Sequence, residues 1–238
     1  MVRSRYDDVA DFYVDGFDSV DDPVSRALLE LLGPVEGLRV LDIACGHGRI
    51  TRELARAGAR QPTIGVDSSA ALLGRAKEAE QENPLGIRYL HADVTASLDW
   101  LDDETGFDAV TCHYGLSDID DLDGALHGIG AALRPGGRFV FSILHPCFPG
   151  GKYVSGSWPA AESYYDEGFW IADSAISRLR RQVGANHRML STYVNALHRH
   201  DLRLDEAVEP RPDEAWAAWV GPDVASHPIQ FVARCLKA

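Results

Sequence analysis

The sequence predicts a doubly wound α/β fold: a mostly parallel seven-stranded sheet with helices on both faces and an antiparallel edge strand. Three observations carry this prediction. Short strand-like runs alternate with helical stretches over the first 145 residues. A Gly-x-Gly bend joins the first run to the helix after it, and two further strand-like runs close the chain. Alternation of this kind requires parallel pairing through right-handed crossovers, which place helices on both faces.

Five runs, Leu38–Ile43, Thr63–Val66, Ile87–Leu90, Phe107–Cys112 and Arg138–Leu144, are short, rich in β-branched or aromatic residues, and bounded by Gly, Pro or Asp. Between them the spacing predicts helices over Arg49–Ala57 and Ser69–Gln81, a short one near Ala96–Leu101, and one over Leu122–Leu133. The last is closed by Arg134-Pro135-Gly136-Gly137, a helix stop and tight turn. After Leu144 the rhythm breaks. Pro146–Trp170 has no clear period but holds Phe148, Tyr153, Trp158, Tyr164, Tyr165, Phe169 and Trp170, a concentration of aromatics that suits a cover over a site. A helical pattern returns over Arg188–His200, and Leu202–Val208 and Ile229–Leu236 form the closing strand pair.

Composition excludes several classes. The chain has 238 residues, 45% hydrophobic and 25% charged, with 22 Gly and 12 Pro, which is ordinary globular usage and enough chain for one generous core. Asp and Glu total 36 against 23 Lys and Arg, a formal charge of −13 with no basic stripe, so no nucleic-acid partner is expected. Cys45, Cys112, Cys147 and Cys235 are far apart and read as reduced thiols of a cytosolic protein. Met1–Asp15 lacks an apolar signal region and no run approaches the roughly 20 residues of a membrane span, so a soluble cytoplasmic chain is expected.

The most informative segment is Val40–Ile50. A buried strand ends, Gly46-His47-Gly48 turns the chain, and a helix begins, so backbone can approach a ligand closely with its amides facing it. A phosphate loop would need a Lys after the glycines, and a dinucleotide dehydrogenase would want glycine where Thr51 stands. Asp42, in the last turn of the first strand, would repel a pyrophosphate and attract an ammonium or sulfonium group. That charge preference points to S-adenosylmethionine.

Here the sequence resembles the class I, Rossmann-like S-adenosylmethionine-dependent methyltransferases, small-molecule type, whose first motif reads roughly Leu-Asp-x-x-Cys/Gly-Gly-x-Gly. The resemblance implies that Asp42, Ala44, Gly46 and Gly48 surround the methionine part of the cofactor. Gly65-Val66-Asp67-Ser68-Ser69 ends the second strand with a carboxylate where one accepts both ribose hydroxyls, so Asp67, with Ser68 beside it, is the expected ribose ligand. By resemblance Asp93 accepts from the adenine amino group and Val94 packs on the ring. Phe107–His113 and Leu133–Phe139 match the fourth- and fifth-strand motifs, Asp108 being read as a strand-ordering residue. Tyr6–Tyr13 resembles an aromatic lid, in which Tyr13 would bond the cofactor carboxylate.

Methyl transfer is an in-line displacement, so the protein positions the nucleophile and, for oxygen or sulfur acceptors, removes a proton. His113, after the fourth strand, and His145, after the fifth, stand where such a base belongs, with His187 a third candidate. The Asn/Asp-Pro-Pro-Tyr/Phe signature of nucleobase amine methyltransferases is absent after the fourth strand, and Asp118, Asp120, Asp121 and Asp123 read as acidic caps of the next helix, so no metal is expected. Arg178, Arg180, Arg181 and Arg188 are candidates to recognise an anionic acceptor.

These readings divide a single domain, 1–238, into an N-terminal lid and helix (1–37), a cofactor-binding core (38–145), a substrate-covering insertion (146–187) and a C-terminal helix and strand pair (188–238). The expected protein is an S-adenosylmethionine-dependent methyltransferase releasing S-adenosylhomocysteine, acting on a small-molecule acceptor with oxygen slightly favoured over nitrogen or carbon. It is expected to be a monomer or homodimer without nucleic-acid or membrane partners. Two alternatives stay open: a non-catalytic adenosylmethionine-binding subunit of a complex, and a nucleotide-dependent oxidoreductase.

Overall fold

Strands that are buried on both faces need apolar residues at nearly every position, and the chain supplies them in five parallel runs. In the computed structural model, which describes residues 3–96, 101, 105–147, 163–172, 178–220 and 226–238, these are β1 (Val40–Ile43), β2 (Thr63–Asp67), β3 (Ile87–His91), β4 (Phe107–His113) and β5 (Leu133–Leu144). β8 (Leu202–Val208) and β9 (Gln230–Lys237) complete one sheet in the order β3-β2-β1-β4-β5-β9-β8. The closing strands pair antiparallel. The antiparallel member is β9, inserted between β5 and β8, so the edge strand β8 itself runs with the first five. A separate two-stranded antiparallel sheet joins β6 (Gly168–Trp170) to β7 (Ala185–His187).

Helix starts follow local chemistry. Asp22 caps α2 (Pro23–Leu32) by accepting from the amides of Val24 and Ser25, both at 2.9 Å, with Pro23 at the first helical position. Ser69 caps α4 (Ala70–Glu82) and Asp121 caps α6 (Leu122–Ala132), as the caps in the sequence indicate. α2 turns Val24, Leu28, Leu31 and Leu32 toward β5 and β9, forming a core with Val40, Ala109, Val140 and Val232 on one face of the sheet. On the other face α6 and α8 (Leu190–Arg199) pack in a larger core containing Phe107, Phe139, Phe141 and Phe231. The helix between β1 and β2, α3 (Arg49–Arg56), buries Ile50, Thr51 and Leu54.

Several boundaries differ from the sequence expectation. β5 begins at Leu133, which already pairs with Phe107; the Pro135-Gly136-Gly137 turn is an irregularity within that pairing, not a gap before the strand. The helix expected from Arg188 begins at Leu190, because residues 185–187 extend to bond β6. The chain before β1 forms two helices, α1 (Ala10–Phe17) and α2. The short helix expected near Ala96–Leu101 falls mostly outside the described residues, as do Phe148, Tyr153 and Trp158 of the aromatic segment. Among the described residues no helix is long and apolar enough to cross a membrane.

Candidate active site

In a doubly wound sheet the strand carboxyl ends leave a crevice where neighbouring crossovers diverge. Here a groove of about 390 Å3 opens there, lined by Tyr6 and Tyr13 from the N-terminal segment, Ala44 and Gly46 after β1, Asp67 and Ser68 after β2, Asp93 and Thr95 after β3, and His113 to Gly115 after β4. Ala44 and Gly46 of the turn 44–48 form part of its lining. Ala44 and Gly46 have φ of 54° and 59°, so the chain passes through two left-handed residues beside the groove. The turn is fastened from below: the Cys45 amide donates to the Val66 carbonyl at 3.0 Å and the Gly48 amide to the Cys45 carbonyl at 2.9 Å.

Asp67 is the best-defined acidic group of the groove. Its Oδ2 accepts the Gly46 amide at 2.8 Å and its Oδ1 the Ser69 amide at 2.7 Å. A carboxylate has about four lone-pair sites, so this anchoring leaves acceptor capacity for two further donors. Burial raises its pKa, opposed by the Ser69 and Gly46 amides. Asp93 closes a turn by accepting the Thr95 amide at 2.9 Å and the Thr95 hydroxyl at 2.7 Å on one oxygen. Asp118, Asp120 and Asp121 also line the groove, against the cations Arg3 and Arg5, so its walls carry an excess of negative charge.

Asp42 does not line this groove. β1 places it between Gly65 of β2 and Thr111 of β4, 1% exposed, where its Oδ1 accepts the Thr111 hydroxyl at 2.7 Å and its Oδ2 the Thr51 hydroxyl at 2.6 Å. Asp42, expected to face a cationic sulfur, ties α3 and β4 together beneath the turn, and the acidic side chains that line the groove include Asp67, Asp93 and Asp118. Burial pushes its pKa up to about 6 despite the two hydroxyl donors, with Asp67 adding to the rise and Arg49 opposing it. A raised folded-state pKa costs stability as pH rises from the unfolded value, near 4, through about 6. In Asp42→Asn that loss disappears, so the stability of the variant relative to the parent is expected to grow by on the order of 3 kcal/mol between pH 4 and pH 7. Parallel urea titrations at the two pH values check this; a pH-independent difference would show Asp42 titrating normally.

Gly48 and Val94 are likewise not among the residues that line the groove. Gly48 (φ 87°) caps α3 behind the groove, and a Cβ there would lie 2.2 Å from the Tyr89 hydroxyl oxygen, so its glycine serves a close packing. Val94 is buried in the core cluster of α6 and β4. Tyr13 lines the groove, edge-on to Tyr6 and His47 with ring centroids 5.3 and 5.6 Å away.

The candidate bases are held on both sides. His113 lines the groove, but its Nδ1 is 2.9 Å from the Ser142 hydroxyl and its Nε2 is 3.4 Å from the Ser25 hydroxyl. Burial, reinforced by Arg49, keeps its pKa well below the usual imidazole value. His145 is 3% exposed and not among the groove residues; its Nδ1 accepts the Cys147 amide at 3.0 Å while its Nε2 meets the Glu209 carboxylate at 3.0 Å. That ring holds the His145-Pro146 corner. His187 stands in β7 with its Nε2 2.8 Å from the Tyr164 carbonyl.

Three of the four candidate anion-binding arginines are also engaged. Arg188 donates to the carbonyls of Leu116, Ile119 and Asp120 at 2.7–2.8 Å, Arg178 lies 4.4 Å over the Phe12 ring, and Arg180 pairs with Asp118. Asp108 bonds the Arg39 amide at 2.9 Å and Arg134 at 2.6 Å, the strand-ordering role expected of it. Asp118 and Asp120, read from sequence as helix caps, instead take Tyr6, Arg5, Arg180 and Asn186 as partners.

Residues 40–137 match a family model described as "Methyltransferase domain". A solved S-adenosylmethionine-dependent methyltransferase from Mesorhizobium loti superposes with a TM-score of 0.72 at 28% identity, over 91% of this chain and 98% of that one. Over residues 40–137 the chain carries a methyltransferase domain, and its fold is that of the S-adenosylmethionine-dependent methyltransferases. Among curated members of this methyltransferase family, a ubiquinone biosynthesis O-methyltransferase of Alkalilimnicola ehrlichii is 36% identical over 116 residues, 49% of this chain and 45% of that protein. An uncharacterized methyltransferase of Mycobacterium bovis is 37% identical over 137 residues, 56% of this chain and 65% of that one. The chain thus matches from under half to just under two thirds of the length of these two methyltransferases.

Sequence reasoning missed Tyr6, Thr95, Tyr114 and Asp118 as groove residues of this methyltransferase. Tyr6 lay inside the segment read as a lid, and Asp118 inside an acidic run whose members look alike until folding gives each a different neighbour.

Proposed function

We propose that this methyltransferase binds S-adenosylmethionine in the groove and transfers its methyl group to a small-molecule acceptor, with an oxygen nucleophile favoured. The observation that carries the reading is Asp67: a half-buried carboxylate at the carboxyl end of β2, oriented by the Gly46 and Ser69 amides, with acceptor capacity left for a vicinal diol. The residues present suit the cofactor. Ala44 and Gly46 offer a close backbone approach to its methionine part, Ser68 stands beside the ribose, Asp93 serves the adenine amino group, and Tyr13 covers the amino-acid end. The acidic walls suit a ligand carrying positive charge.

The bound cofactor supplies a methyl carbon activated by a positively charged sulfur. This chain's part is to orient the acceptor against it and to exclude water beneath Tyr6, Tyr13 and Tyr114. With both imidazoles held, the chain suits an acceptor whose own acidity frees its electron pair, a phenolic hydroxyl with a pKa near about 10 rather than an aliphatic alcohol. The likeness to a ubiquinone biosynthesis O-methyltransferase supports oxygen as the acceptor atom.

Calorimetry with S-adenosylhomocysteine and with NAD tests the cofactor, and mass spectrometry of a cell extract incubated with the protein and labelled S-adenosylmethionine reveals the product. Binding of NAD in place of S-adenosylhomocysteine would overturn the reading. Homocysteine-analogue binding without any labelled product would leave a non-catalytic subunit. His113→Gln and His145→Gln are expected to keep turnover within about threefold, since a general base would contribute roughly 100-fold or more. A larger fall in kcat with unchanged cofactor affinity would restore that histidine as the base.

A further inference from the structure

The N-terminal segment, residues 3–9, crosses the groove. Before α1 its backbone bonds are two turns, Asp7 to Ser4 and Val9 to Tyr6, both at 3.2 Å, so its seat depends on side chains. At one wall Asp7 Oδ1 accepts the Ser69 hydroxyl at 2.7 Å and the Ala71 amide at 3.2 Å, directly after the Asp67 loop. At the other wall, the Tyr6 hydroxyl donates to Asp118 Oδ2 at 2.8 Å, and Arg5 bonds the Asp118 carbonyl and Asp120. Asp118 closes the short helix α5 (Gly115–Asp118) that follows β4. Its second oxygen takes Arg180 of α7 (Arg178–Val183), which also donates to the Gly184 carbonyl at 2.9 Å, beside β7.

One carboxylate thus gathers three segments more than 50 residues apart in sequence. Side-chain exposures of 18% for Asp118 and 12% for Arg180 make the pair mostly dry, where a charge-assisted bond is strong and its loss costly. We infer that Asp118 is a positioning residue: by holding Tyr6 and Arg180 together it latches the N-terminal strap, which lines the groove, to α7, and cofactor exchange requires this latch to open. The exchange part rests on the groove being the cofactor site.

Asp118→Asn leaves Arg180 half-buried without its anion and is apt to perturb folding, so Tyr6→Phe is the decisive variant. It keeps the ring against Tyr13 and removes the hydroxyl with its bond to Asp118 and its longer, 3.5 Å contact from Arg180. Loss of a hydrogen bond to a charged group predicts about tenfold faster dissociation of S-adenosylhomocysteine in stopped flow. Hydrogen exchange should quicken by a similar factor at residues 4–9 and also in α7, which is joined to the Tyr6 hydroxyl through Asp118 and Arg180, while the melting temperature without ligand stays within about 3 °C of the parent. A residue that merely supported the fold would lower the melting temperature and leave dissociation unchanged. The latch is overturned if α7 exchange is unmoved in Tyr6→Phe, or if S-adenosylhomocysteine leaves at the parental rate. Failure of the parent to bind S-adenosylhomocysteine would instead sink the cofactor reading and the exchange role with it; the α7 result then decides the latch alone.

Discussion

Replacing Asp67 with alanine is expected to weaken S-adenosylhomocysteine binding by about a hundredfold or more. Two hydrogen bonds from ribose hydroxyls to a charged carboxylate are worth roughly 1.5–3 kcal/mol each, and each 1.4 kcal/mol is a factor of ten in affinity. The loss has a second component. Asp67 also receives the Gly46 and Ser69 amides, so alanine strands two donors at the turn and at the α4 cap, loosening the walls that a ligand would meet. Asp67→Asn separates the two effects: its carbonyl oxygen keeps one acceptor while its amide group faces a donor, so it is expected to fall between alanine and the parent. Calorimetric titration of all three proteins measures this. An alanine variant that binds within threefold of the parent would remove Asp67 from the site and leave the groove without its main ribose ligand.

The second large effect is at Gly48. Its φ of 87° already disfavours a side chain, and an added Cβ would lie 2.2 Å from the Tyr89 hydroxyl oxygen and 2.9 Å from the ring carbon that bears it. Tyr89 has little room to retreat, because it is 7% exposed and packs beside Cys45 and Gly65. Gly48→Ala is therefore expected to cost about 3 kcal/mol, combining overpacking with the left-handed backbone. Chemical denaturation measures the loss. Tyr89→Phe in the same chain should return part of it, since the nearest atom in the clash is removed, and it also deletes a buried hydroxyl with no hydrogen-bond partner. A Gly48→Ala protein as stable as the parent, or a double variant no better than the single, would show that Tyr89 does not set this packing.

The sheet and its order of elements were readable because their signals are local. A run such as Phe107–Cys112, bounded by Gly106 and followed by a capped helix, carries its strand character in a few adjacent residues, and the parallel crossovers follow from the alternation. The bend after β1 and Asp67 at the end of β2 were legible for the same reason, because strand ends are where such sheets bind ligands. The short extended stretch 185–187 was not legible: three residues carry no period, and only pairing with β6 makes them a strand.

By itself, then, the sequence determined the doubly wound fold, the turn at 44–48 and the acidic residue that ends β2, since each is written in contiguous residues whose backbone preferences and periodicity need no distant partner. Tertiary structure alone decided which polar side chains face the groove. Asp42 lies beneath it because the β1–β4 register sets it opposite Thr111 and α3 brings Thr51 over it. His113 and His145 are held because Ser142, Ser25 and Glu209 come to their nitrogens from other elements, the Cys147 amide two residues on from His145 completing the second pair. Asp118 is a latch and not a cap because Tyr6 and Arg180 arrive from opposite ends of the chain. A buried polar group must find its partner wherever the fold places one, and sequence distance does not report that.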